Sequence, residues 1–268
     1  MFKDKENDMR YETPHGRIYH LFEDMTFQPH LLVAGATGSG KSVVVNGIIT
    51  TLLYRLPYNQ EDGAELILID PKRVELSPYK RLPHTLYYAS EPDTMLSALQ
   101  YAMDICEDRY REMQTRSERK YTGSDIYVII DEFADLMTTQ RRAVAPLIQR
   151  LAQIGRAARI HIILCTQTPI AKVLPTEIKC NFDARIGLRT RSAQDSRNIL
   201  GEKGLENLPV FGNGIYMTPK GTNLYKIPYI DEKEQNRLIS HWEMQDIQET
   251  FRKADEQKAK KKGWWKLW

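Results

Sequence analysis

Gly35-Ala36-Thr37-Gly38-Ser39-Gly40-Lys41-Ser42 spaces its glycines, lysine and hydroxyl as GxxxxGK[ST]. In that pattern glycines let backbone N–H groups curl round phosphate oxygens, the lysine reaches the outer phosphates, and the hydroxyl can ligate Mg²⁺. Gly35, Thr37, Gly38, Ser39, Gly40, Lys41, Ser42 and Val43 form the predicted nucleotide cradle. Its setting gives the string its weight. HLLVAG (30–35), an apolar run bounded by Pro29 and Gly35, predicts a strand buried on both faces just before it. A helix predicted over 41–56 follows and adds a favourable dipole.

A second stretch, YVIIDEFADLM (127–137), ends an apolar run in two adjacent acids. In open α/β sheets the carboxyl ends of neighbouring strands face the ligand crevice, so Asp131 and Glu132 would lie beside the phosphates. Asp131 would hold the Mg²⁺ shell opposite Ser42. Glu132 would act as general base on the water in line with the γ-phosphate. A small-molecule kinase needs no such base, so the pair favours ATP hydrolysis. The alternative is that both acids only cap the helix that follows. Asp135 reads as a solvated helix residue. IHIILCT (160–166) predicts another strand, and Gln167 at its tip could bond the γ-phosphate or the attacking water, or simply belong to a loop.

These residues need a scaffold, and the rest of the chain supplies one. Strands are predicted over 17–22, 30–35, 65–70, 127–131, 160–166 and 184–190, with helices over 41–56, 92–116 and 141–156. A hairpin is predicted over 214–229, turning at Pro219-Lys220-Gly221. Strands alternating with helices give an α/β fold with a mainly parallel sheet. Residues 1–15 are polar and expected to be loose, 16–231 form the main domain, and 232–268 a C-terminal helix and tail. Of 268 residues, 41% are hydrophobic and 27% charged, which excludes a disordered chain; a net charge of +3 permits a nucleic-acid partner without requiring one. Cys106, Cys165 and Cys180 are too scattered for a disulfide framework or zinc site. No run of about 18 apolar residues predicts a membrane span, and no secretory signal opens the sequence, so a cytoplasmic location is expected.

Taken in order, HLLVAGATGSGKSVVVN, IDPKRVELSPYKRLPH, DRYREM, IIDEFADLM, LAQIGRAARIHIILCTQ and DSRNIL resemble the motor domain of FtsK/SpoIIIE-type DNA translocases, over about residues 16–231. The resemblance implies a RecA-like P-loop NTPase that uses ATP and Mg²⁺, assembles as a homo-hexamer around double-stranded DNA and moves along it. It implies a trans-acting arginine finger at Arg185, with Arg156 and Arg159 in reserve. It also implies contacts from Arg197 and Lys220 to DNA phosphates in the channel; such contacts are salt-sensitive and independent of sequence.

Some features depart from the family. Thr168 stands where the family usually carries arginine, and the link before YVIID is short. The protein is expected to lack a membrane anchor, an N-terminal tier subdomain and a C-terminal winged helix, as a minimal motor core from a phage, plasmid or conjugative element would. Lys258, Lys260, Lys261 and Lys262 precede Trp264, Trp265 and Trp268, an ending suited to a membrane interface, a protein partner or DNA, or else a solvated terminus. A DNA translocase is the leading expectation. A coupling or secretion ATPase with nucleoprotein or protein cargo, and an ATP-switched scaffold, are the alternatives.

Overall fold

The computed structural model describes residues 10–12, 18–20, 28–55, 63–209, 213–226 and 229–244. β1 (Arg10–Glu12) and β2 (Ile18–His20) pair antiparallel, with Arg10 opposite His20. The strand expected over 17–22 is observed at 18–20, its other residues lying outside the described ones, and part of the N-terminus expected to be loose is its partner.

The apolar runs become the strands of one eight-stranded sheet. They are β3 (His30–Ala34), β4 (Ala64–Ile69), β5 (Thr85–Ala89), β6 (Asp125–Ile130), β7 (Ile160–Thr166), β8 (Ala184–Leu188), β9 (Asn213–Thr218) and β10 (Gly221–Lys226). Their order is β10-β9-β8-β3-β7-β6-β4-β5. From β8 to β5 every pairing is parallel, and β9 and β10 are added antiparallel. Every residue of β3, β6 and β7 is buried, as sheets covered on both faces demand.

Helices cover both faces. α1 (Lys41–Arg55) and the helical segment 232–244 lie on one side, where Val44, Ile48, Leu52, Leu238 and Trp242 share a core with Val33, Ile129 and Ile163. On the other side lie α2 (Pro92–Arg116), α3 (Phe133–Thr139), α4 (Arg141–Ile154), α5 (Thr176–Lys179) and α6 (Ala193–Leu200). Leu99, Cys106, Phe133 and Ile148 from these helices pack on Leu32, Val128 and Leu164. α2 opens with a capping box between Glu91 and Thr94 and ends at Ser117 with φ 56°, so its predicted bounds hold at both ends.

The parallel strands give the sheet two unlike edges. Their carboxyl ends carry the P-loop, Thr166-Gln167, Asp131-Glu132 and Asp70-Pro71-Lys72 on adjacent strands. Their amino ends are pinned by a buried charge network. Arg159 donates to both oxygens of Asp125 at 2.9 and 2.8 Å, and His161 Nε2 lies 2.9 Å from Asp125 Oδ1. Burial alone would raise the Asp125 carboxyl, but His161 and Arg159 hold it below the ordinary range. The C-terminal helix expected within 232–268 is observed over 232–244; residues 245–268, with the basic, tryptophan-rich tail, lie outside the described residues.

Candidate nucleotide site

The P-loop leaves β3 at Ala34 and closes at once into α1. Gly40 sits at φ 99°, where an L side chain is strained, and a Cβ on Gly35 would come within 2.6 Å of Leu188 Cβ. The loop is tied to its neighbours by Gly35 N–H to Thr166 O (3.3 Å) and Ala36 N–H to Arg189 O (2.9 Å). It is thus fixed between the exits of β7 and β8.

Lys41 is 5% exposed, and its Nζ donates to Asp131 Oδ1 at 2.5 Å and to the Asp131 carbonyl at 2.9 Å. Burial works against the Lys41 charge, yet the carboxylates of Asp131 and Glu132 raise its pKa. Asp131 Oδ2 and Ser39 Oγ are buried with no hydrogen-bond partner. An unfilled carboxylate oxygen against the P-loop lysine suits a hard cation with oxygen ligands. Asp131 and Ser42 could hold Mg²⁺ together with phosphate oxygens and water. Among the described residues no cluster of three or more His, Cys, Asp and Glu could hold a metal unaided.

Glu132, 3% exposed, accepts from Thr166 Oγ1 at 3.0 Å, the Gln167 N–H at 3.1 Å and Lys72 Nζ at 3.1 Å. It stands at the N-cap of α3, but its side chain makes no capping hydrogen bond, which goes against reading it as a cap. Gln167 Oε1 accepts from Thr37 Oγ1 at 2.7 Å, so the β7 tip meets the P-loop directly. Asp135 is half-buried instead of solvated; burial first, then Glu132, raises its carboxyl above the usual value. Cys165 lies behind the site as a buried thiol pushed up to about 12, so it stays protonated.

Other predicted residues lie elsewhere. Arg185 donates to the carbonyls of Phe182 (2.8 Å), Ile199 (2.9 Å) and Lys179 (3.4 Å). It holds the ends of α5 and α6 against β8, and burial lowers its pKa. Of the reserve arginines, Arg159 is engaged with Asp125 at the amino edge and Arg156 is exposed. Arg197 is exposed on α6, within reach of Gln194 Oε1 at 3.4 Å. Lys220 occupies the β9–β10 turn, and the register of Arg185 opposite Met217 puts that turn at the edge away from the P-loop.

Sequence reasoning missed Lys72, Arg189 and Arg191. Two clefts beside Thr37 share Ala36, Thr190 and Arg191; one opens toward Gln167, the other toward Arg189 and Glu206. The strand-tip logic that picked out Asp131 applies equally to IDPK (69–72) and GLRTR (187–191), and would have found all three.

The FtsK/SpoIIIE family matches over residues 5–127 and 113–171. This chain belongs to the FtsK/SpoIIIE family. The DNA translocase FtsK of Mesorhizobium japonicum is 37% identical over 84% of the chain and 30% of its own length. That of Rickettsia prowazekii is 39% identical over 82% of the chain and 35% of its own length. The chain thus spans about a third of these curated relatives. Among solved structures, the pCW3 conjugation coupling protein TcpA, in monomer form with ATPgS, superposes with TM-score 0.72 at 24% identity, covering 89% of this chain and 71% of that one. The cytoplasmic domain of the Thermomonospora curvata type VII secretion ATPase EccC gives 0.68 at 22%, covering 85% and 30%. FtsK-family sequence and P-loop ATPase fold coincide, and the expected α/β architecture with a mainly parallel sheet is the observed one. No helix among the described residues is long and apolar enough to cross a membrane.

Proposed function

We propose that this protein hydrolyses ATP and uses the hydrolysis to move double-stranded DNA through a ring of its own copies. The observation that carries the reading is the convergence of Lys41, Asp131, Glu132 and Gln167 at the tips of three adjacent parallel strands. Lys41 binds the outer phosphates, leaving its present partner Asp131 to the cation shell. Mg²⁺, shared between Ser42 and Asp131, would neutralise charge on the β- and γ-phosphates. Glu132 takes the proton of the attacking water, and Gln167, already on Thr37, senses the γ-phosphate. Arg189 and Arg191 flank the cradle as further phosphate or nucleotide contacts. Curated FtsK relatives at 36–39% identity support DNA as the cargo. On this reading Arg197 and Lys220 touch the duplex backbone, the ring is a homo-hexamer, and the protein works in the cytoplasm of a cell carrying a phage, plasmid or conjugative element.

The test is ATP hydrolysis with and without linear duplex at two salt concentrations, with Glu132→Gln as blank. Salt-sensitive stimulation by duplex is the expected result. Turnover indifferent to duplex would transfer the reading to a protein-delivering secretion ATPase.

A further inference from the structure

Glu132 is bracketed by the exits of two different strands. Thr166 Oγ1 and the Gln167 N–H, from the β7 exit, both donate to Oε1. Lys72 Nζ, from the β4 exit on the other side of β6, donates to Oε2. An ionised carboxylate offers about four lone-pair sites, two on each oxygen. The two on Oε1 are filled, so one site on Oε2 remains for a further donor. The β7 donors therefore leave Oε2 to meet a water, and Lys72 decides which side of it is open.

The segment that presents Lys72 is held at both ends. Asp70 is fully buried and its Oδ2 accepts the Leu76 N–H at 3.0 Å, closing the loop on itself. Pro71 restricts the backbone before Lys72, and Arg73 pairs with Glu91 ahead of α2. The Lys72 side chain is 41% exposed, against 4% for Glu132, so it is a tether reaching in from the surface.

We propose that Lys72 is a positioning residue for the general base: it fixes Oε2 of Glu132 so that its free lone pair faces the attacking water. The proposal rests on the reading of Glu132 as that base. Without Lys72, Glu132 keeps only its two bonds to Oε1, and Oε2 can swing about that anchored oxygen out of line with the water, the terminal torsion of glutamate being broad. The aligned fraction then falls, while nucleotide binding through the P-loop is unaffected.

The experiment compares the full-length wild type, Lys72→Ala, Lys72→Arg, Glu132→Gln and the Lys72→Ala/Glu132→Gln pair. A fluorescent ATP analogue gives affinity, and single-turnover hydrolysis gives the chemical rate. We expect Lys72→Ala to lose roughly tenfold or more in rate, as a misaligned general base should, with affinity unchanged. Lys72→Arg should recover most of it, and the double variant should be no slower than Glu132→Gln alone. A Lys72→Ala protein as fast as the wild type, or faster, overturns the proposal, and so does a parallel loss of affinity. Additive loss in the double variant overturns it too. If Glu132→Gln itself turns over at the wild-type rate, the base assignment falls and this proposal with it. That outcome is read from a different variant and cannot be confused with the others.

Discussion

Lys41 and Asp131 form a buried ion pair, and that makes each costly to remove. Truncating one leaves an uncompensated charge in a dry site, a penalty of about 3–5 kcal/mol in comparable pairs. Lys41→Ala is therefore expected to do two things at once: abolish ATP binding and lower the midpoint of thermal unfolding. Glu132→Gln should do neither, since its amide keeps the shape, yet it should cut turnover by roughly a hundredfold or more. Calorimetric binding of a non-hydrolysable analogue, with unfolding scans of both variants, checks the pair. A Lys41→Ala protein that still binds the analogue at wild-type affinity would refute the assignment. At this scale the sequence was readable where a residue type followed a strand end, as for Asp131, Glu132 and Gln167, or opened the helix after the P-loop, as for Lys41. Arg185 was less readable, because three backbone carbonyls brought in by α5 and α6 surround it and none of them leaves a mark on the local string.

At the level of elements, the amino edge of the sheet has its own chemistry. Asp125 joins β6 to β7 through Arg159 and His161, so Asp125→Ala should cost about 3 kcal/mol, read as a lowered urea midpoint with hydrolysis per folded molecule unchanged. His30, buried at the start of β3, accepts the Ile162 N–H on Nδ1. Burial, aided by His161, lowers its pKa to about 3, whereas an unfolded chain holds it near 6.5. Between those values the unfolded state binds the extra proton, so stability is fully present above about pH 6.5 and is lost as pH falls toward 3. From pH 7.5 to pH 5 this one group should remove about 2 kcal/mol, and His30→Leu should flatten that slope whatever it does to the absolute midpoint. A slope unchanged by the substitution would exclude His30 as its source. Of the strands that were legible, β3, β4, β6 and β7 are continuous apolar runs between breakers, while β8 and the β9–β10 hairpin were found as well. β5 was not, because TLYYA is an edge strand, half-buried along most of its length, with Leu86 toward solvent and the Thr85 and Tyr88 hydroxyls bonded to Tyr79 O and Asp70.

For the whole molecule, the proposed ring predicts that each copy completes its neighbour's site. In the trans-acting role that the family resemblance implies, Arg185 must exchange three carbonyls of its own chain for a neighbour's phosphate. Arg185→Ala should then be inactive alone but recover activity when mixed with Lys41→Ala, because one interface in the mixed assembly has both parts intact. If Arg185 only fastens α5 and α6, mixing restores nothing and the variant merely melts earlier. DNA contact is tested separately. Arg197→Ala and Lys220→Ala should each lower the salt dependence of duplex affinity by roughly one phosphate's worth, about 0.9 in the log–log slope, without altering sequence preference.

The antiparallel turn of the β9–β10 hairpin has a practical consequence. Because β9 runs against β8, residues 219–220 point to the side of the sheet that the cradle does not occupy. A photo-crosslinker or dye carried there would stand apart from the nucleotide chemistry while touching whatever passes that side. If the proposed DNA path runs along that side, its occupancy and the proposed hydrolytic cycle could be followed in the same molecules, each with its own signal, and the delay between them would time the coupling.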